Sequence, residues 1–116
     1  MYFSSDAPVC AESKDLWADP GSQIKAMCRV EASPDTPINF SWVWLTPTYS
    51  RRIIPAHVTQ IGTRSTVSFT VPKYNSTMQE AARHQLGVLQ CWAENKVGRI
   101  VNPCTVAIRR PGRYFV

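Results

Sequence analysis

The 116-residue sequence has no closely spaced pair of cysteines, and this absence limits its chemistry first. Structural zinc sites bring their ligands in pairs such as C-x-x-C, whereas the cysteines here stand singly at 10, 28, 91 and 104. Histidine is scarce too. His57 and His84 are the whole supply, and neither lies in a Ser, Cys or Asp motif that would pair a nucleophile with a base. The sequence carries no glycine-rich phosphate loop, no metal-ligand cluster and no nucleic-acid motif. Together these gaps argue against an enzyme, against a metal or other cofactor, and against a nucleic-acid partner. No apolar run is long enough to span a bilayer, so no direct membrane insertion is expected of this stretch. Met1-Tyr2-Phe3-Ser4-Ser5 also lacks the parts of a signal peptide.

Nine prolines and many Val, Ile, Thr and aromatic residues favour short strands joined by turns, in a single domain. Four widely spaced cysteines in such a domain favour disulfides, and therefore an oxidising compartment. Two N-glycosylation acceptors agree with that compartment, Asn39 in Asn39-Phe40-Ser41 and Asn75 in Asn75-Ser76-Thr77. An oxidised domain without an export signal is expected to be a piece of a longer secreted or membrane-anchored chain. A net charge of +5 would suit an anionic partner. Arg51, Arg52, Arg109, Arg110 and Arg113 form a candidate sulfated-glycan patch, against the plainer reading of a solvated surface.

Taken in order, Ala7 to Glu12 reads as a short edge strand that Lys14 to Ala18 extends, with Trp17 packed at the edge. Asp19-Pro20-Gly21-Ser22 is a turn. From Gln23 to Val30 the residues Ile24, Ala26, Cys28 and Val30 share one face, and from Ile38 to Leu45 the residues Ile38, Phe40, Trp42 and Trp44 do. The span from Thr46 to Thr63 is the least legible, with Ile53-Ile54 and Val58 to Ile61 as candidate edge strands. Arg64 to Val71 points Val67, Phe69 and Val71 inward. Lys73 to Gln85 is polar, with a helical turn expected over Thr77 to Arg83. In Leu86 to Glu94, Leu89, Cys91 and Ala93 face opposite to Gln90, Trp92 and Glu94. Asn95 to Gly98 supplies turn chemistry, and Arg99 to Arg109 returns as a hairpin partner interrupted near Pro103.

The fold class expected is all-β, an antiparallel sandwich of about seven to eight strands. Cys28 and Cys91 on the second and sixth strands, with Trp42 on the third, resemble the immunoglobulin signature. That resemblance implies a Cys28–Cys91 bridge through the core with an indole against it. Trp42 and Trp44 compete for the indole's place, and Trp42 has the better spacing. Closing the loop from 28 to 91 removes unfolded-state entropy worth about 4 kcal/mol. Cys10 and Cys104 then either pair across neighbouring strands at the domain edge or remain free for an intermolecular bond. The domain is expected over residues 7–109, with 1–6 a leader and 110–116 a linker.

Leu89-Gln90-Cys91-Trp92-Ala93-Glu94-Asn95-Lys96-Val97-Gly98, with Asn102-Pro103-Cys104 and the early Ala7-Pro8-Val9-Cys10, resembles the Sidestep family of neuronal cell-surface receptors. Leu89 stands where most immunoglobulin domains place a corner tyrosine. Gln85 departs from the aspartate expected at that corner, although Gly87 is kept. The resemblance implies an I-set or C2-like extracellular domain in a plasma-membrane receptor acting in cell–cell recognition such as axon guidance. The partners it implies are other immunoglobulin-superfamily proteins of the Beaten path type, with adjacent immunoglobulin domains of the same chain as neighbours. Trp92, Val43 and Leu45 form a candidate protein-binding face, or Trp92 is merely covered by long side chains. The alternatives are a structural module of an intracellular muscle-type protein and a soluble immune protein.

Overall fold

The computed structural model describes residues 7–32, 37–73 and 85–111, with Gln85 described by its backbone alone. Within these, the strands in chain order are β1 (Val9–Ser13), β2 (Leu16–Trp17), β3 (Gln23–Glu31), β4 (Asn39–Leu45) and β5 (Ser50–Arg52). After one 3-10 turn, Pro55–His57, follow β6 (Val58–Ile61), β7 (Arg64–Thr70), β8 (Gln85–Glu94) and β9 (Cys104–Arg109). They form two sheets, one ordered β1-β3-β7-β6 and the other β2-β9-β8-β4-β5. The expected all-β sandwich is therefore present. Its core follows the alternation residue by residue: Ala26, Cys28 and Val30 from β3, Val67 and Phe69 from β7, Leu89, Cys91 and Ala93 from β8, and Cys104, Val106 and Ile108 from β9 are all buried.

The first strand differs from expectation because it divides between the sheets. Its first half, β1, pairs antiparallel with β3, whereas β2 pairs parallel with β9, so the second sheet is mixed and not wholly antiparallel. Asp15 fastens the crossing. Its Oδ1 accepts the Ala107 N–H at 3.0 Å and its Oδ2 accepts Arg109 Nη2 at 3.2 Å. The Ala107 hydrogen bond holds the Asp15 carboxyl below its ordinary value, opposed by burial and helped by the Arg109 guanidinium. Trp17, expected to pack at the edge, is instead 64% exposed beside Arg109.

The region that the sequence left illegible is built around Thr46. Its hydroxyl accepts the N–H groups of Thr48 and Tyr49, and its own N–H donates to Tyr49 O at 2.9 Å. That turn starts β5 at Ser50, earlier than the Ile53-Ile54 strand expected. Ile53 turns inward and donates its N–H to Trp42 O. Apolar alternation has no signal here because Ser50, Arg51 and Arg52 are all exposed. The expected strand at Val58–Ile61 is present as the edge of the first sheet.

Trp42 and Trp44 do not compete, since both are buried. Trp44 packs on Phe69 with ring centroids 4.7 Å apart and reaches the space that Gly87 leaves open. A methyl group built on Gly87 would stand 2.5 Å from Trp44 Cζ2, closer than carbon atoms tolerate. The Asn95 turn is as expected: its Oδ1 accepts the N–H groups of Val97 and Gly98, and its N–H donates to Gly98 O. Beyond it, Glu94 bridges Arg99 and Cys91 faces Cys104, so the return strand carries extra residues just before Pro103 ends the excursion. The helical turn over Thr77 to Arg83, the Asn75 acceptor, His84, Arg113, the leader 1–6 and most of the linker lie outside the described residues.

Replacing Gly87 with Ala is expected to destabilise the fold by about 1–3 kcal/mol through overpacking against Trp44. Gly98→Ala, where the added carbon meets Ala7 Cβ at an ordinary 3.6 Å, should cost far less. Chemical denaturation of the two variants side by side checks the difference.

Candidate functional site

The inner face of the site is a set of ties between the sheets. Cys28 faces Ser65 across β3 and β7, and Trp42 faces Cys91 across β4 and β8. A disulfide joins Cys28 to Cys91 with Cα atoms 6.5 Å apart, and Trp42 Nε1 donates to Ser65 Oγ at 3.0 Å. Two strand pairings and two cross-sheet links thus close a ring of four buried residues. Ser65 Oγ in turn donates to Thr59 O on the neighbouring strand β6 at 3.1 Å. The sequence reading missed Ser65, although extending the Val67, Phe69 and Val71 parity by one step would have marked it as an inward polar residue.

Cys10 and Cys104 also pair, with Cα atoms 5.3 Å apart. Their setting corrects the expectation of a bond between neighbouring strands at one edge. Cys10 lies on β1 in the first sheet and Cys104 on β9 in the second, so this bridge crosses the sandwich too. Cys104 faces Cys91 in the β8/β9 register, which sets the two disulfides side by side. No cysteine of the chain is left free.

The outer face belongs to β4, β5 and β8. Trp92 stands opposite Ser41, Val43 opposite Gln90, and Leu45 opposite Val88. The strand pairing that the candidate face required is therefore present, and it makes Trp92 and Val43 diagonal neighbours. Trp92 is only half-exposed, however. Its Nε1 donates to Gln90 Oε1 at 3.4 Å, and the Arg99 guanidinium sits over the ring 4.2 Å from its centroid. Val43 is half-buried, and Leu45 is 37% exposed. Arg52, opposite Val43 on β5, adds a second guanidinium. Trp92, Val43, Arg52 and Arg99 line an open groove of about 540 Å³ that also holds the exposed Asn39 and the bridge residue Glu94, while Leu45 lies outside it. Sequence parity could not find Arg99 or Arg52, because both follow turns after which the facing of the chain cannot be counted.

Among the described residues, the candidate arginines on strands do not converge. Arg51 and Arg52 lie on β5 at one edge of the second sheet, while Arg109 is on β9 near the other edge and already pairs with Asp15. Arg51 and Arg52 border a separate groove of about 300 Å³ together with His57 and Phe69. Among the described residues no three His, Cys, Asp or Glu side chains are grouped to hold a metal ion, and no helix is long and apolar enough to cross a membrane.

No family model matches the sequence, and no curated protein matches it. The fold does have solved relatives. The chain is similar to the titin I-band fragment I67–I69, with a TM-score of 0.58 at 19% identity over 92% of this chain and 33% of that one. It is also similar to the titin Ig tandem A164–A165, with a TM-score of 0.54 at 20% identity over 93% of this chain and 48% of that one. A third likeness is to a titin M10–obscurin-like 1 Ig complex, with a TM-score of 0.55 at 15% identity over 95% of this chain and all of that one. The chain spans about a third of the I67–I69 fragment. These likenesses show the fold, an immunoglobulin-like β-sandwich.

Ser65→Ala should leave the Trp42 N–H buried without an acceptor and cost about 1–3 kcal/mol. Denaturant titration of the oxidised variant measures it, and an unchanged midpoint would mean that the Trp42–Ser65 bond adds nothing to the disulfides.

Proposed function

We propose that this chain is an extracellular immunoglobulin-like module of a cell-surface receptor, similar to the Sidestep family, and that it serves recognition between cells as in axon guidance. Neighbouring immunoglobulin domains and Beaten path-type proteins are the partners this reading names. Its chemistry is non-covalent docking or spacing, and what supports this is a two-sheet sandwich tied by disulfides with an open polar groove on one face. The observation that carries it is the pair of side-by-side disulfides linking the two sheets with no cysteine left over. Two such bridges persist in an oxidising compartment and are rare where glutathione keeps thiols reduced.

Within this reading the domain acts as a spacer in a receptor array. The capping of Trp92 by Arg99 supports that role over docking through the indole, because a buried aromatic anchor is what a protein interface needs at its centre. The second reading is a structural module of an intracellular muscle-type protein, which the titin neighbours fit equally as a fold. The two differ in thiol state. Alkylation without reductant, followed by intact mass of the chain taken from its own cells, should find no modified cysteine; four modified cysteines would favour the muscle-type reading.

A further inference from the structure

We infer that the groove on the outer sheet face is the berth of a glycan carried by Asn39, whose N-acetylglucosamine lies against Trp92 and Arg99. This rests on the extracellular reading, because only a chain entering a secretory compartment meets the glycosylating machinery. Asn39 opens β4 and is exposed, and Ser41, the hydroxyl residue of its acceptor triplet, stands on the same outward face directly opposite Trp92. Asn39 itself pairs with Glu94, so Trp92 is its diagonal neighbour on the adjoining strand. Diagonal neighbours of this kind lie about 7–8 Å apart, a gap that one pyranose on the amide nitrogen spans.

The groove has the chemistry to hold such a sugar. Val43 and the part of the half-exposed Trp92 that Arg99 leaves uncovered give apolar surface to the C–H groups of a pyranose, while Arg52 and Arg99 offer guanidinium donors to its hydroxyls and N-acetyl carbonyl. Glu94 presents a carboxylate acceptor beside the attachment point. At about 540 Å³ the space falls within the range that encloses small ligands, roughly 300–1,000 Å³. Charged and polar side chains are prominent in its lining, unlike the charge-depleted centre of a protein interface. Tethering settles the choice of occupant: a sugar bonded to Asn39 is held at the groove, whereas a free ligand or protein would have to displace it.

The covalent step needs nothing from this chain beyond the acceptor triplet Asn39-Phe40-Ser41. The Asn39 amide nitrogen forms its bond to C1 of the first sugar and loses a proton, as the C1–O bond to a lipid-linked diphosphate donor breaks and the diphosphate leaves with the electron pair. Once seated, the sugar covers Trp92 and Val43 and keeps that face from a protein partner.

The test is secretion of the full chain from eukaryotic cells, mapping of the Asn39 peptide by mass, and trimming of the glycan to its single attached sugar. Nuclear Overhauser contacts are then sought between that sugar and the Trp92 indole and Val43 methyls. The expected result is an occupied Asn39 with contacts to both side chains, lost together with the added mass in Asn39→Gln and in Ser41→Ala. An occupied Asn39 without those contacts, or an empty Asn39 in a secreted chain with both disulfides formed, would overturn the berth and leave the extracellular reading standing. A chain whose native material carries free thiols would overturn that reading and the berth with it.

Discussion

The structure depends on three links that cross the sandwich side by side: Cys10–Cys104, Cys28–Cys91 and the Trp42–Ser65 hydrogen bond. A two-sheet domain of this length has a thin core, and sheets held only by apolar contact can slide or part. Each disulfide alone removes unfolded-state entropy worth about 4 kcal/mol, and the second adds less because the loop from 28 to 91 is nested within that from 10 to 104. The indole bond acts differently, by direction. It ties a buried donor on β4 to a hydroxyl on β7 that is itself fixed to β6.

Fixing the inner face determines what the outer face presents. Once Cys91 points inward, period 2 sends Trp92 and Gln90 outward, and the β4 register brings Ser41 and Val43 beside them. The division of the first strand belongs to the same logic. Crossing from β3's side to β9's side places Cys10 over Cys104 and lines one long edge of the core on both sheets, with Asp15 satisfying the backbone where the chain changes sheets.

Much of this was legible before the structure. Alternation alone places Cys28, Trp42, Leu89, Cys91, Val106 and Phe69 inside, because apolar and polar residues exchange faces cleanly on β3, β4, β7, β8 and β9. Legibility failed where other forces act. The Thr46 turn and the exposed Ser50–Arg52 strand carry no apolar rhythm, so β5 was misplaced. Two indoles of one parity looked like rivals because sequence does not show the room that Gly87 leaves for Trp44. The Cys10–Cys104 pairing was left open, and its course across the sheets was invisible because a strand that changes sheets looks like one strand in sequence. Arg99 over Trp92 lay beyond a turn, where parity cannot be counted.

The claim that the three ties make the two sheets one cooperative unit is tested most directly by native-state hydrogen exchange on the oxidised chain. The account predicts that amides of β3, β4, β7 and β8 around Cys28, Trp42, Ser65 and Cys91 exchange only through global unfolding, while those of β2 and β5 open locally. Exchange around those four residues as fast as in β2 and β5, with both disulfides intact, would contradict it.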